Sequence, residues 1–209
     1  MKKGIIIILS GFSGSGKGTI VKKLMQEYDN YALSISATTR KPRTGEVDGR
    51  EYFFKSVEEF KEMIENDEFI EYATYVDNYY GTPKDYVEKQ LAQGKDIILE
   101  IDLQGAMLVK EKNPDVVLIF VTPPTADELK RRLVGRGTED IETINARLKT
   151  AVKESAFMDK YDYLLINDDL DACVKNLHEI IQSEHDSVKR NIEKINHIRE
   201  DIKIFSEGE

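Results

Sequence analysis

The sequence predicts an α/β fold in which a parallel β-sheet is flanked by helices. Short apolar runs alternate with longer segments of helical periodicity along most of the 209 residues. The apolar runs are continuous rather than alternating, which is typical of strands buried on both faces. The alternation stops between about residues 38 and 82, which indicates an insertion of different structure.

Five strands and five helices are predicted outside the insertion. The strands are Gly4 to Leu9, Leu33 to Ser36, Ile97 to Ile101, Val116 to Val121 and Tyr163 to Ile166. The helices lie near Lys17 to Glu27, Leu103 to Lys112, Ala126 to Val134 and Ile141 to Met158, with a last one starting at Leu170. Isoleucines at helical spacing beyond about Ile181 predict one long amphipathic C-terminal helix.

The insertion contains a loop rich in Gly, Pro and Arg, followed by an alternating strand (EYFF), a short helix (VEEFKEMIE) and a strand-like segment (EFIEYATYV). Alternating apolar and polar residues are typical of strands with one solvated face. We therefore expect a small mixed or antiparallel sheet here. Insertions between core strands are also where ligand-binding lids occur.

The composition excludes several classes of function. With 39 acidic and 30 basic residues, the net charge is −9, which argues against binding to a nucleic-acid backbone. The one cysteine, Cys173, cannot form an internal disulfide, and the apolar run near the N-terminus has only five residues. Such a run is too short for a signal sequence or a membrane span. We expect a cytoplasmic protein without nucleic-acid or membrane partners, and both a monomer and a homodimer stay open.

Seven of the nine arginines fall in two windows of the sequence. Guanidinium groups match the geometry of phosphate and carboxylate, so this clustering in a lysine-rich chain predicts anion-binding sites. The first window holds Arg40, Arg43 and Arg50, and the second holds Arg131, Arg132, Arg136 and Arg147.

A glycine-rich loop connects the first predicted strand to the first helix. Its residues are Gly11, Phe12, Ser13, Gly14, Ser15, Gly16, Lys17, Gly18 and Thr19. The spacing G-x-x-x-x-G-K in this context predicts the phosphate loop of a P-loop NTPase-like core, in which backbone N–H groups and Lys17 bind a nucleoside triphosphate. Gly18 stands where Ser or Thr is usual, so Mg²⁺ must depend on phosphates, water and acids elsewhere. Thr19 can still bond a phosphate.

Five sequence blocks resemble the guanylate kinase family. T-T-R-x-P-R-x-G-E-x-x-G-x-x-Y-x-F spans 38–54, N-Y-Y-G-T spans 78–82, E-I-D-x-Q-G spans 100–105, G-R-G-T spans 135–138 and N-D-D spans 167–169. The resemblance covers about residues 4–185. It implies a nucleotide kinase that transfers the γ-phosphoryl group of ATP, with Mg²⁺, to GMP.

The resemblance also implies how one domain, residues 1–209, is organised. The core comprises about 1–36, 83–134 and 159–185, the GMP-binding insertion about 37–82, the helical lid about 135–158 and the C-terminal helix about 186–209.

The family also implies which residues bind GMP. Residues matching Arg40, Arg43, Tyr52 and Tyr80 hold its phosphate, and residues matching Ser36, Glu71, Thr82 and Asp102 bind guanine. Guanine presents two adjacent donors that one carboxylate such as Glu71 can accept, and hydroxyls of Ser36 and Thr82 can donate to O6 or N7. Glu100 stands where the family often has Asp and is expected near Mg²⁺, through water. Strand alternation predicts that Glu100 and Asp102 face the same side.

Phosphoryl transfer between two nucleotides needs positive charge more than it needs a general base. The second pKa of a phosphate monoester is about 6, so the GMP oxygen is largely ionised at pH 7. We therefore expect no catalytic histidine, and we expect His178, His185 and His197 on solvent-exposed helix faces. The expected catalytic cations are Lys17, Arg40, Arg132, Arg136 and Arg147. Arg131, turned about 100° away on its helix, is predicted to be structural, and the resemblance implies that Asn167 and Asp168 contact adenine.

Two alternative functions stay open. The loop segment Gly16-Lys17-Gly18-Thr19 also resembles that of adenylate kinase, so a kinase for another nucleoside monophosphate is one alternative. Glu71 and the block Thr39 to Glu46 argue against it. The other is a non-catalytic guanylate-kinase-like binding module, against which the retained Gly11, Gly16 and Lys17 argue.

Overall fold

The structure, a computed structural model, describes residues 3–135 and 140–206. In chain order the strands are β1 (Ile6–Gly11), β2 (Tyr31–Leu33), β3 (Ala37–Thr38), β4 (Phe53–Phe54), β5 (Phe69–Tyr75), β6 (Asn78–Pro83), β7 (Asp96–Leu99), β8 (Val117–Thr122) and β9 (Tyr163–Ile166). The α-helices are α1 (Lys17–Glu27), α2 (Val57–Glu65), α3 (Lys84–Ala92), α4 (Leu103–Lys112), α5 (Ala126–Gly135), α6 (Ile141–Ser155), α7 (Leu170–Asp186) and α8 (Ile192–Ile202).

A five-stranded sheet in the order β2–β7–β1–β8–β9 forms the centre of the molecule. All of its pairings are parallel. The apolar run of β1 is completely buried at Ile7, Ile8 and Leu9, because helices cover both faces of the sheet. The predicted α/β class is therefore confirmed.

The insertion contains a four-stranded mixed sheet in the order β4–β3–β6–β5. β3 pairs in parallel with β4 and antiparallel with β6, which forms a hairpin with β5. Its small core consists of Ala37, Phe60 and Phe69. The expected small mixed sheet is present, and helix α2 has the predicted bounds because Ser56 and Glu59 form a capping box.

Strands β3 and β6 and helix α3 were not predicted from the sequence. Strand β3 has only two residues, Ala37–Thr38, which are too few for a pattern to show. Strand β6 contains Gly81 and Pro83, which favour a loop when they are judged locally. It is a strand because it pairs along its length with β5. Helix α3 buries only Val87 and Leu91, so its apolar periodicity is too weak to stand out.

The single long C-terminal helix was a wrong prediction. Helix α7 ends at Asp186, Ser187 is extended, and a 3₁₀ turn at Val188–Asn191 precedes α8. Arg190 holds this turn, since its guanidinium bonds Asp115 at 2.7 Å and Glu184 at 3.3 Å. Helix α8 has no buried residue. No helix within 3–135 and 140–206 is long and apolar enough to cross a membrane.

The solvent-exposed placement was wrong for two of the three histidines. His185 is buried, and its Nε2 lies 2.7 Å from Oδ1 of Asp96. His178 bonds the Tyr31 hydroxyl at 2.7 Å and stacks on Tyr28. Both histidines lie on the buried face of α7, and this face packs against the sheet and α1. Only His197 lies on an exposed face.

Candidate active site

The glycine-rich loop takes a shape that side chains would not permit. Gly14 and Gly16 adopt φ of +91° and +93°, a left-handed region that favours glycine. A Cβ atom at Gly16 would lie 2.4 Å from Nδ2 of Asn167. The loop can therefore pack closely against the segment that contains Asn167. Its N–H groups lie at the N-terminus of α1.

Two side chains from distant segments hold the loop in place. The Asn167 amide donates to the Ser15 carbonyl at 2.8 Å. The Arg132 guanidinium donates to the Asn167 carbonyl at 2.8 Å and to the Ser15 carbonyl at 3.4 Å. Arg132 thus lies against the loop, and its action on bound phosphates stays a prediction.

Arg131 lies apart from the loop. Its side chain is 74% exposed, compared with 21% for Arg132, and both guanidinium groups bond Glu128. The Arg131 and Arg132 bonds lower the pKa of Glu128 to about 2. Both hydrogen bonds of the Arg131 guanidinium go to Glu128 rather than to the loop, and its predicted structural role stays a prediction.

Lys17 and Arg147 lie at the mouth of the loop. The Lys17 ammonium donates to the Gly11 carbonyl at 2.7 Å and to the Phe12 carbonyl at 3.3 Å. Arg147, on α6, donates to the Ser13 hydroxyl. Two of the expected cations therefore come together from α1 and α6.

A cavity of about 340 Å³ opens between the loop and α6. Its charged lining residues are Lys17, Glu100, Asp102 and Glu154. A Cβ at Gly18 would lie 3.9 Å from Oε2 of Glu100, so this carboxylate lies beside the position where a hydroxyl is usual. Desolvation raises the pKa of Glu100, and the Lys17 ammonium opposes that shift.

A second cavity, of about 310 Å³, lies against the insertion. Its lining includes Ser36, Tyr52, Glu71 and Tyr80. Both cavities share the segment 100–102 at the carboxyl end of β7. Strand β7 ends at Leu99, earlier than predicted, because Asp102 caps α4 by accepting the Gly105 N–H at 2.8 Å. Glu100 and Asp102 nevertheless line the same cavities.

Glu71 is held by a fully buried hydroxyl. Thr82 donates to Oε1 of Glu71 at 2.7 Å. A Cβ at Gly105 would lie 3.7 Å from the other carboxylate oxygen. Burial raises the pKa of Glu71, and the Thr82 bond opposes this. One oxygen is therefore positioned by Thr82, and the space beside the other is kept open by glycine.

Aromatic rings surround Arg40 in the insertion. Its guanidinium carbon lies 5.2 Å from the centroid of the Tyr52 ring, and Tyr52 packs edge-on against Tyr80. Glu46 accepts from Arg40 at 2.9 Å and from the backbone N–H of Arg43 at 2.8 Å. The structure gathers Arg40, Tyr52 and Tyr80, whereas Arg43 is exposed.

The remaining predicted positions divide into two groups. Asp168 and Thr19 are exposed, and Arg136 lies outside the described residues.

Sequence reasoning missed Glu128, Gly105 and Glu154. Glu154 follows Arg147 by seven residues on a predicted helix, so helical spacing could have placed both on one face.

A glycine-rich loop between a central parallel strand and a helix defines a P-loop nucleotide-binding protein, here with a second cavity beside the loop. The family model for guanylate kinase matches residues 3–184. The chain belongs to the guanylate kinase family, which consists of phosphotransferases.

Individual relatives extend this match over nearly the full chain. A guanylate kinase of Caldanaerobacter subterraneus subsp. tengcongensis is 52% identical, covering 96% of this chain and 97% of its own. One from Lactococcus lactis subsp. lactis is 48% identical, covering 97% and 99%. The crystal structure of guanylate kinase from Anaplasma phagocytophilum superposes with a TM-score of 0.70 at 34% identity, covering 91% of this chain and 90% of the other.

Proposed function

We propose that this chain transfers the γ-phosphoryl group of ATP to GMP, giving ADP and GDP. The observation that carries this proposal is the junction of the two cavities at Glu100, Ile101 and Asp102. One cavity is lined by residues of the phosphate loop, and the other is lined by Glu71. Because transfer requires two phosphates to be held side by side, adjacent sites for the two nucleotides support this reaction.

On the donor side, we assign the ATP phosphates to the N–H groups of the loop and to Lys17. The loop residues concerned are Gly11, Phe12, Ser13, Gly14, Ser15, Gly16, Gly18 and Thr19. Arg132 and Arg147 add positive charge from α5 and α6, and Arg136 is proposed to join them. Asn167 is assigned to holding the loop through Ser15, and the exposed Asp168 to contacting adenine.

On the acceptor side, we assign guanine recognition to Glu71, Ser36 and Asp102. Thr82 is assigned to orienting Glu71, since its hydroxyl already donates to that carboxylate. Adenine places a lone pair where guanine has N1–H, so it would leave the buried carboxylate without a donor. This explains why GMP would be preferred over AMP.

The GMP phosphate is assigned to Arg40, Arg43, Tyr52 and Tyr80. Arg40 is already ion-paired with Glu46, so the phosphate would share a guanidinium that Glu46 keeps oriented. The side chain of Arg43 is exposed, so it can change rotamer and reach the phosphate of GMP.

The proposed reaction needs no protein base. A non-bridging oxygen of the GMP phosphate forms a bond to the γ-phosphorus, and the bond from that phosphorus to the β,γ-bridging oxygen breaks. The electron pair stays on ADP, and the GMP oxygen is already largely ionised at neutral pH. Lys17, Arg132 and Arg147 stabilise the charge that spreads over the transferred group.

Mg²⁺ is proposed to accompany ATP, and the residues present fit it. Within the described residues, no three His, Cys, Asp or Glu side chains are grouped closely enough to hold a metal ion by themselves. Mg²⁺ commonly uses one or two carboxylates together with substrate phosphates and water. Glu100, beside Gly18, would supply that carboxylate, through water, and the ion would supply charge neutralisation at the phosphates.

Turnover with different acceptors tests the function. We expect the chain to phosphorylate GMP faster than AMP, UMP or dTMP with ATP as donor, and Lys17→Ala to lose this activity. Lys22→Ala, at an exposed position of α1, is the matched control and should retain it. Faster phosphorylation of AMP would overturn the acceptor assignment. Full activity of Lys17→Ala would overturn the donor site.

The location and assembly of the chain remain separate predictions. We propose a cytoplasmic protein without nucleic-acid or membrane partners, on the basis of its acidic charge and its nucleotide substrates. Light scattering on the purified chain would distinguish a monomer from a homodimer.

A further inference from the structure

Glu154 lies on the face of α6 that packs toward the phosphate loop. Ile144 and Ala151 of this helix are buried against Phe12 and Phe120. Glu154 comes three residues after Ala151 and therefore shares this face. Its half-buried side chain lines the cavity that contains the loop.

The charged side chains that line this cavity are mostly acidic. Its lining has three carboxylates, those of Glu100, Asp102 and Glu154, and one ammonium, that of Lys17. Burial raises the pKa of Glu154, Lys17 opposes this, and Asp102 adds to it. The carboxylate is therefore partly shielded from solvent and lines the same cavity as Lys17 and Asp102. Arg147 lies two turns earlier on the same helix and contacts Ser13.

A carboxylate at this position affects two forms of the same nucleotide differently. A metal-free triphosphate carries several negative charges, and repulsion from a nearby carboxylate is strong where solvent is partly excluded. A divalent cation bound to the triphosphate cancels two of these charges and is itself attracted to carboxylates.

We propose that Glu154 is a specificity-determining residue that makes the phosphate loop accept ATP as its divalent-metal complex and reject metal-free ATP. The inference rests on the proposed function, because it takes ATP as the ligand of the loop. Glu154 acts on the choice of ligand form, whereas Lys17 binds phosphate in either form.

Binding measurements with and without metal test this inference on the full chain. The probe is the β,γ-imido analogue of ATP, titrated calorimetrically in EDTA and then in excess Mg²⁺. For Glu154→Gln, we expect the Kd of the metal-free analogue to fall by about tenfold, because one repulsive charge is removed. With Mg²⁺, the Kd of the analogue should change by less than about twofold. The ratio of the metal-free Kd to the Kd with Mg²⁺ should therefore decrease in this variant.

Three further variants, Glu142→Gln, Glu154→Asp and Glu154→Ala, control the experiment. Glu142→Gln removes an exposed carboxylate from the first turn of the same helix and should leave both Kd values unchanged. Glu154→Asp keeps the charge and should keep most of the preference, while thermal unfolding of each variant reports its folding. If Glu154→Gln does not fold, Glu154→Asp and Glu154→Ala are compared for their preference for the metal complex over the metal-free analogue. An equal preference in the two variants overturns the inference. A preference that is kept in Glu154→Asp and lost in Glu154→Ala supports it.

The outcomes separate this inference from the proposed function. Equal tightening of both ligand forms in Glu154→Gln, or tightening of neither, overturns the role of Glu154 while GMP phosphorylation by the unmodified chain stands. Failure of the unmodified chain to bind the analogue in either condition overturns the proposed function itself.

Discussion

The donor and acceptor sides of the proposed site are constructed in different ways. On the donor side, we expect backbone N–H groups of residues 11–19 to bind the phosphates, and Asn167 and Arg132 hold this loop from distant segments. On the acceptor side, the surface consists of side chains, chiefly Glu71, Tyr52 and Tyr80, on a small sheet that is mostly half-exposed.

This difference has a consequence for mutation. A site made of backbone groups depends on the path of the chain, so changes of shape should damage it even when no functional group is lost. A site made of side chains depends on individual atoms, so exchanging one oxygen for nitrogen should change its selectivity. Three predictions test this contrast between the two sides, and a fourth concerns Glu128, which forms an ion pair with Arg132.

Removal of Arg132 should have the largest effect. Arg132→Ala loses the guanidinium that bonds the carbonyls of Asn167 and Ser15, and also loses positive charge near the phosphates. We expect kcat to fall by about 10³-fold, measured by steady-state kinetics with ATP and GMP. Arg131→Ala removes an adjacent arginine that is exposed and should change kcat by less than about twofold. Equal losses in both variants would contradict the assignment.

Two glycines test whether the donor side depends on chain path. Gly16 and Gly45 have nearly the same φ, +93° and +90°, but only a Cβ at Gly16 meets a neighbour, Asn167. Each substitution to alanine should cost about 1–2 kcal/mol in the free energy of unfolding, because φ is positive. Only Gly16→Ala should also lose about 10²-fold in activity, through displacement of the loop. Urea denaturation and kinetics measure the two effects, and a comparable loss of activity in Gly45→Ala would argue against the contrast.

One atom of Glu71 tests the acceptor side. Glu71→Gln replaces an acceptor oxygen with an NH₂ group that would meet the donors of guanine. We expect kcat/KM for GMP to fall by about 30-fold, equivalent to about 2 kcal/mol, with the KM for ATP unchanged. Glu68→Gln, at an exposed position just before β5, is the control. Normal use of GMP by the Glu71 variant would show that this residue does not bind the base.

The smallest effect concerns the pH dependence of stability. The pKa of Glu128 is lowered to about 2 by Arg131 and Arg132, compared with about 4.3 in an unfolded chain. The carboxylate therefore stabilises the fold above about pH 4, and this contribution is lost as the pH falls through about 2. The urea midpoint of the unmodified chain should exceed that of Glu128→Gln at pH 7, and the difference should vanish near pH 2. A difference that persists unchanged at pH 2 would rule out this ion pair as its source.

The success of sequence reasoning differed between the same two regions. The phosphate loop and four of the five central strands were predicted because their signals are local, namely glycine spacing and continuous apolar runs. The remaining strand, β2, lies at Tyr31–Leu33, whereas Leu33 to Ser36 was predicted. In the insertion, β6 was missed because Gly81 and Pro83 look like loop residues, and its strand conformation comes from pairing with β5. Local signals cannot report pairing between separate segments.

The same reason explains the residues that were misplaced or missed. His185 was expected in solvent, but it bonds Asp96, a residue 89 positions earlier in the chain. The role of Thr82 in holding Glu71 depends on the register of two strands, which the residue types alone do not specify. Glu154 acquires its surroundings only because α6 packs on Phe12 and Phe120.

By itself, the sequence determined the fold class, the phosphate loop and the family, because these depend on residue patterns within short segments. The tertiary structure alone decided which distant side chains meet: Asn167 with Ser15, Thr82 with Glu71, and Glu154 with the cavity of Lys17. Such contacts between distant side chains depend on how whole helices and strands pack together. The two cavities adjoin at 100–102 for the same reason, since the carboxyl end of β7 is placed between the loop and the insertion by the sheet as a whole.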